Sequence, residues 1–396
     1  MTKLMTTLIL LLILATAAVS KGRKIDFWNK QQRGANYQNS APAKKWWVAA
    51  KEASITVVRL FPNNWEKQGR DFLLGDADNY EKISEQDFQK LKAALDDAQA
   101  VGIKVVLTTV SLPGLRWAQH NDDKDDARLW RESKYQDQAA TFWKDLAFRL
   151  KDHPAVVGYN IINEPHPERA KVVPFNDFWW EDFGVWYAKV QKTSADLNLF
   201  YSKIVTAIRQ VDKETPIVLD SGLYATPWAF NYLKPIRDKK VLYSFHMAEP
   251  YAYTTRRINK GRFSYPGVII IGGDENKIEK NWNAEELERF LNPVAVWQKK
   301  YKIPSSRIFV GEFGCSRIVP GAAIYLGDLI DIFNKNKWHW AFYQFRSDGS
   351  WTERDYEYGT QPPGAAYWDA VGRGEKTKLP RVENNPVWNV IKNALR

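Results

Sequence analysis

The sequence predicts an α/β fold, a single (β/α)8 barrel with insertions in its βα loops. Three observations carry this expectation. Eight short apolar, β-branched runs recur along the chain, amphipathic helical stripes fall between them, and no Gly-rich phosphate loop follows any run. The last point argues against the other common arrangement, a doubly wound open sheet.

The runs are RGANY (Arg33–Tyr37), ITVVRLF (Ile55–Phe61), IKVVLTTV (Ile103–Val110), AVVGYNII (Ala155–Ile162), PIVLD (Pro216–Asp220), VLYSFH (Val241–His246), RIFVGEF (Arg307–Phe313) and HWAFYQF (His339–Phe345). Strands apolar on both faces and alternating with helices imply a parallel sheet. The helical stripes are legible: Ser84 and Asp87 give a capping signal, Phe88, Leu91, Leu95 and Ala98 recur at helical spacing, and Gly102 ends the run. Similar stripes fall at Phe142, Leu146 and Leu150, at Ile204, Ile208 and Val211, and around Leu287, Phe290 and Leu291. A typical barrel holds about 250 residues, so a 396-residue chain needs insertions. Two stand out, Lys171–Tyr187, dense in Trp, and Thr254–Lys277. Both follow strands and therefore belong at the C-terminal mouth, where barrels bind their substrates. Asn385–Arg396 reads as a closing helix, and residues 21–396 as one domain.

The N-terminus reads as a cleavable signal peptide over residues 1–20. Lys3 supplies a charged start, Leu8–Ala15 an apolar stretch too short to span a bilayer, and Ala18-Val19-Ser20 a small-residue cleavage pattern. The expected location is secreted or periplasmic, in a bacterium, with no membrane span after signal removal. The single cysteine, Cys315, cannot form an internal disulfide and reads as a packed thiol, so a large core must hold the protein together.

The net charge of +11 is compatible with nucleic acid or an anionic surface, but Lys and Arg are spread along the chain rather than gathered in a block. The 18 tryptophans exceed what an ordinary core uses; a flat apolar ring also stacks on sugars and on bases. Both ligand classes stay open on composition alone.

In a barrel, residues at strand ends point into the mouth. Arg59 ends the second strand, Asn163 and Glu164 follow the fourth, His246 ends the sixth and Glu312 lies on the seventh. Two glutamates with Arg, His and Asn around them are what glycoside cleavage requires, one carboxylic acid for the leaving oxygen and one carboxylate for the anomeric carbon. A metal site would need more convergent His or Asp, and none is expected. Taken singly, a strand-end Glu in a barrel is more often a surface or ion-pair residue, and Arg59 is equally readable as a structural ion-pair partner.

GYNIINEPHP and IFVGEFGCSR together resemble the two signature motifs of glycoside hydrolase family 5, the cellulase family of retaining (β/α)8 β-glycanases. VVRLF, TPIVLDSG, SFHMAEP and WAFYQFRSDGSWTERDYEYG are similar to its other strand motifs, so the resemblance spans roughly Arg33 to Glu357. It implies Glu164 as acid/base, with a raised pKa, and Glu312 as nucleophile, held ionised by Arg59. Asn163 is expected to bond the sugar 2-OH, with His246, Tyr251, Trp180 and Phe345 also facing substrate. The implied activity is that of an endo-β-1,4-glucanase, with β-mannan or another β-glucan as the alternative substrate. The protein is expected to act as a monomer on a β-linked polysaccharide, with no cofactor and no nucleic-acid partner.

Three positions depart from the family pattern. Val110 stands where many relatives carry a His after the third strand, Ala248 replaces a Tyr after His246, and Phe345 takes the place of a stacking Trp on strand eight. Tyr251 or Tyr253 could supply the missing hydroxyl. A non-catalytic carbohydrate-binding protein and a Trp-rich nucleic-acid binder are the readings from other classes.

Overall fold

In the computed structural model, which describes residues 23–37, 43–62, 71–118, 121–175, 180–271, 278–346, 353–375 and 379–396, the eight runs form eight parallel strands that close on themselves. They are β1 (Arg33–Tyr37), β2 (Val57–Leu60), β3 (Lys104–Thr108), β4 (Val156–Asn160), β5 (Ile217–Asp220), β6 (Val241–Met247), β7 (Ile308–Phe313) and β8 (His339–Phe342). Each strand pairs with its neighbour in sequence, and β8 returns to β1 through Arg33 opposite Trp340. The (β/α)8 expectation is met. The expected signal segment, residues 1–20, lies outside the described residues.

Alternation along the strands divides the barrel interior into layers. At the floor, Val57, Val106, Val157, Val218, Leu242, Phe309 and Ala341 point inward and pack with Ile25 and Trp28 from the segment that precedes β1. Trp28 closes this end. It is fully buried, meets Phe309 edge-on at 5.6 Å, and donates its indole N–H to the Val157 carbonyl at 2.9 Å. Above the floor the inward positions become polar: Asn36, Arg59, Thr108, Asn160 and Asp220 are all buried.

Outside the strands, the helices bury the predicted stripes. Ser84 caps the Glu85–Ala100 helix, which buries Phe88, Leu91, Leu95 and Ala98. At the end of the chain Asn385 accepts from Val387 N and Trp388 N, starting the Pro386–Leu395 helix that covers the strand-eight side. Among the described residues no helix is long and apolar enough to cross a membrane. Cys315 is buried and unpaired, and burial pushes its thiol up to about 12, as expected of a packed thiol.

The tryptophans are mostly core. Trp28, Trp47, Trp130, Trp143, Trp282, Trp297, Trp338 and Trp340 are among the largest fully buried side chains, so the Trp count by itself says little about ligand. The Trp-rich insertion follows suit: Phe183, Trp186 and Tyr187 of the Trp180–Val190 helix form a small cluster with Val190 and Ala195. Trp186 is therefore a packing residue, while Trp179 and the Trp180 side chain lie outside the described residues. The second insertion forms two short helices, Tyr251–Thr254 and Arg256–Asn259, and a strand, Gly267–Ile271, paired antiparallel with Ile278–Trp282.

The floor geometry makes a stability prediction. Trp28→Ala should lower unfolding free energy by about 3–5 kcal/mol, because a large cavity opens where no neighbour can collapse. Urea titration reads this directly, and a loss under about 1 kcal/mol would show that the floor is not a packed plug.

Candidate active site

The polar layer is organised by one side chain. Arg59 is fully buried, and its guanidinium donates to Asn160 Oδ1 (2.8 Å), Asn163 Oδ1 (2.8 Å), Glu312 Oε1 (2.6 Å) and Asn36 Oδ1 (3.3 Å), with Asp220 Oδ2 at 3.4 Å and Thr108 Oγ1 at 3.5 Å. Its other face lies over the Phe61 ring, 4.6 Å from the centroid. A planar fork of five donors suits such a multi-strand junction, and a lysine could not reproduce it.

Glu312 reaches this junction through an irregularity. The β6–β7 register runs Val310 opposite Phe245 and then Glu312 opposite His246, so the chain slips at Gly311. Such a bulge re-aims the next side chain. It also needs glycine: a Cβ at Gly311 would stand 2.8 Å from Ser244 Oγ and 2.9 Å from His246 Nε2.

Glu164 is set by a turn. It takes the left-handed backbone, with φ at 47°, a conformation that is costly for a residue carrying a Cβ. The turn is pinned on both sides: Glu164 N donates to Asp220 Oδ2 at 3.3 Å, and the His166 ring donates to the Glu164 carbonyl at 2.7 Å. Four residues on, Glu168 is buried with no hydrogen-bond partner for its carboxyl among the described residues, and burial pushes it up to about 8.

His246 joins the two carboxyls. Its Nδ1 lies 2.8 Å from Glu164 Oε1 and 3.8 Å from Glu312 Oε1, and its Nε2 is 3.6 Å from Asp220 Oδ2. One oxygen from each glutamate and a His246 ring nitrogen all fall within 4.8 Å of one another. Three such donors could face a cation, but Arg59, already 2.6 Å from Glu312, brings the positive charge a metal would supply. The donor set fits a shared proton better.

Where that proton rests differs from the sequence-based expectation. Burial lowers His246, but the charges of Glu312 and Asp220 and the bond to Glu164 overcome it, and its pKa is raised. Burial raises Glu164, yet the His246 bond and charge outweigh it, and its pKa is lowered rather than raised. Both directions favour the proton on the imidazole, across a 2.8 Å bond from the carboxylate. Glu312 is raised, because burial and the neighbouring Glu164 charge exceed the pull of His246 and Arg59. Arg59 is in contact as expected, but it does not by itself set the group's ionisation.

The structure thus brings Arg59, Asn163, Glu164, His246 and Glu312 together. It places Phe345 elsewhere: the ring is 1% exposed, stacked on Trp388 at 5.8 Å and edge-on to Trp46 at 5.5 Å, so it has no face for a sugar. The aromatic group at the end of β8 that senses the site is Tyr343, whose phenol is raised by burial and by the charges of Glu312 and Glu164. Arg354 lies over its ring at 5.4 Å. Tyr253 is buried, donating its hydroxyl to the Pro320 carbonyl at 3.0 Å, and so does not replace the missing phenol; Tyr251 is 45% exposed. Val110 is buried at the end of β3. Sequence reasoning missed Asn36, Asn160, Asp220, Tyr343 and Arg354. The first three carried a signal, a lone polar residue inside a run that should be apolar on both faces.

A barrel mouth with two carboxyls at this spacing, an arginine on one and a histidine on the other, defines the class of glycoside hydrolases. Residues 20–349 match the cellulase family, glycosyl hydrolase family 5. The chain belongs to that family, whose members act on O-glycosyl bonds. It is 23% identical over 278 residues to a β-xylosidase of Phanerodontia chrysosporium, a match covering 67% of this chain and 50% of that protein, so it spans about half of that relative's length. It is 20% identical over 281 residues to endoglucanase C of Acetivibrio thermocellus, covering 66% of this chain and 70% of the relative. Among solved structures, the Thermotoga maritima endoglucanase Cel5A superposes with a TM-score of 0.62 at 17% identity, over 94% of this chain and 100% of that one. The cellulose synthase subunit Z of Clostridioides difficile gives 0.57 at 18% identity, over 83% and 94%.

The bulge yields a test that needs no substrate. Gly311→Ala should destabilise the fold by about 1–3 kcal/mol and shift the His246 ring resonances in a histidine NMR titration. A variant with the parent's stability and spectrum would show that Gly311 is not what seats the imidazole.

Proposed function

We propose that the protein is a secreted, retaining β-glycanase, most similar in action to an endo-β-1,4-glucanase. The observation that carries the mechanism is the spacing of the carboxyls. Retaining enzymes hold them about 5–5.5 Å apart and inverting enzymes about 6.5–9.5 Å, to make room for a water; here their nearest oxygens fall within 4.8 Å. Endoglucanase relatives support the substrate class. The Thermotoga maritima structures in complex with cellobiose and with mannotriose keep β-mannan as the second substrate. Secretion rests on the apolar segment Leu8–Ala15 and the small residues that follow it.

Each residue then has a chemical task. Glu312 attacks the anomeric carbon as the glycosidic bond breaks, forming a glycosyl ester, while Glu164 delivers a proton to the departing oxygen. A sugar entering the mouth strips water from the Glu164–His246 pair. That disfavours the separated charges and moves the proton onto the carboxyl, where it is needed. In the second half Glu164, now ionised, takes a proton from water, which attacks the anomeric carbon and breaks its bond to Glu312, releasing that group as a carboxylate. Arg59 donates to Asn163 Oδ1 at 2.8 Å, which leaves the amide nitrogen as a donor to the sugar 2-OH.

Substitutions separate the two glutamates. Glu164→Ala should lose natural glycans by about 100-fold or more, keep activity on an aryl glycoside whose leaving group needs no proton, and recover turnover with azide. Glu312→Ala should lose both substrates. The reverse pattern would exchange the roles, and full activity in both variants would end the glycosidase reading.

The pH profile of kcat/KM should be a bell whose two limbs both lie high. Glu312 must be ionised, so activity falls as pH drops through its raised pKa, above the ordinary glutamate value of 4.5. The Glu164–His246 pair must hold its proton, so activity falls as pH rises through a pKa above the histidine value of 6.5. An alkaline limb below 6.5 would contradict the shared-proton assignment.

A further inference from the structure

We propose that the loops following β6, β7 and β8 form a subsite for an anionic substituent on the glycan, an inference that rests on the glycanase reading above. The cleft there has a volume of about 550 Å³ and is lined by Arg256, Arg257, Asn259, Lys260, Gly261, the Ile318–Pro320 wall and Glu353. It is a built cleft with braced walls. Asn259 is buried and pins the first wall, donating to the carbonyls of Tyr253 (3.0 Å) and Phe263 (3.1 Å) and accepting from Phe263 N (2.9 Å). The second wall hangs on Pro320, whose carbonyl accepts the Tyr253 hydroxyl at 3.0 Å and Tyr265 N at 3.1 Å. Glu353 is fixed by its carbonyl, which accepts Arg317 N at 2.7 Å.

The charge of this lining is unbalanced. Among the described residues, Arg256, Arg257 and Lys260 line the cleft with one carboxylate, Glu353. Beneath them lies the buried guanidinium of Arg317, within electrostatic reach of both Arg256 and Glu353. Arg257 and Lys260 are exposed, and no ion pair joins either to a carboxylate among the described residues. A neutral glucan offers such a wall hydroxyl acceptors but no charge to pair with. Guanidinium and ammonium groups converging on a preformed cleft suit an oxyanion, a carboxylate or a phosphate, through charge-assisted hydrogen bonds.

The cleft is linked to the reaction centre through its own loops. Its second wall begins a few residues beyond Glu312, and Glu353 adjoins Arg354, which covers Tyr343 and interacts electrostatically with Glu312. A chain lying across the carboxyl pair can therefore turn a substituent towards it.

The test compares two soluble polymers with the same β-1,4-glucan backbone, carboxymethylcellulose and the neutral hydroxyethylcellulose. The variant Arg257→Ala/Lys260→Ala removes two exposed cations; Lys299→Ala/Lys300→Ala, on the Ala284–Tyr301 helix, removes the same charge elsewhere. The cleft variant should lose on the order of tenfold in kcat/KM on carboxymethylcellulose and little on hydroxyethylcellulose, while the control variant tracks the parent on both. Millimolar inorganic phosphate or glucuronate should slow the parent on the anionic polymer only, and the stronger competitor names the oxyanion. Equal losses on the two polymers, equal losses in the two variants, or no competition from either anion would overturn the subsite. If the parent cleaves neither polymer, the glucanase reading fails separately. Retardation of the three proteins in gels containing carboxymethylcellulose then still reads the cleft: it stands if the cleft variant alone migrates freely, and falls if the cleft and control variants are retarded alike.

Discussion

The buried Arg59 guanidinium is the constraint on which the mouth of this barrel depends. A permanent charge with no exposure must be surrounded by acceptors, and here they come from β1, β3, the end of β4, β5 and β7. Strands that touch only their neighbours through the backbone are thus joined across the barrel by one side chain. That junction fixes Glu312 at one end and Asn163 at the other. Asp220, shared between Arg59, Asn160 and Glu164 N, ties the left-handed turn of Glu164 into the same network.

The layering beneath explains why the network is rigid. The floor cluster around Trp28 and Phe309 excludes water from below, and the helix-facing core encloses the strands from outside. In such surroundings the effective dielectric is low, and small differences in partner decide which group carries a proton. Glu312 has a guanidinium that cannot give up its proton; Glu164 has an imidazole that can. Two chemically identical side chains are distinguished in this way by the neighbours their strand ends provide.

Most of the architecture was legible in the sequence because it rests on local patterns. RGANY occupies β1 end to end, six of the other runs contain their strand, trimmed by one to three residues, and VLYSFH is extended by one residue to Met247. The pairing of Glu164 and Glu312 was legible because strand ends in a barrel converge by topology. What was hidden depends on side-chain direction. Phe345 follows β8 closely enough to look like a stacking platform, but its ring turns into the Trp388–Trp46 core while Tyr343, two residues earlier, is within electrostatic reach of the carboxyls. The proton's location was equally invisible, since it depends on the 2.8 Å contact between residues 82 apart in sequence. Trp content misled because large indoles fill the space between strands and helices as readily as they meet sugars.

The central claim is that the paired carboxyls act by double displacement, one forming an ester and the other moving the proton. The stereochemistry of the first-formed product tests it most directly. Proton NMR of a soluble β-glucan oligosaccharide, recorded in the first minutes of cleavage before mutarotation, should show the β-anomer accumulating ahead of the α-anomer. Initial appearance of the α-anomer would mean a single displacement by water, and would contradict the mechanism drawn from this geometry.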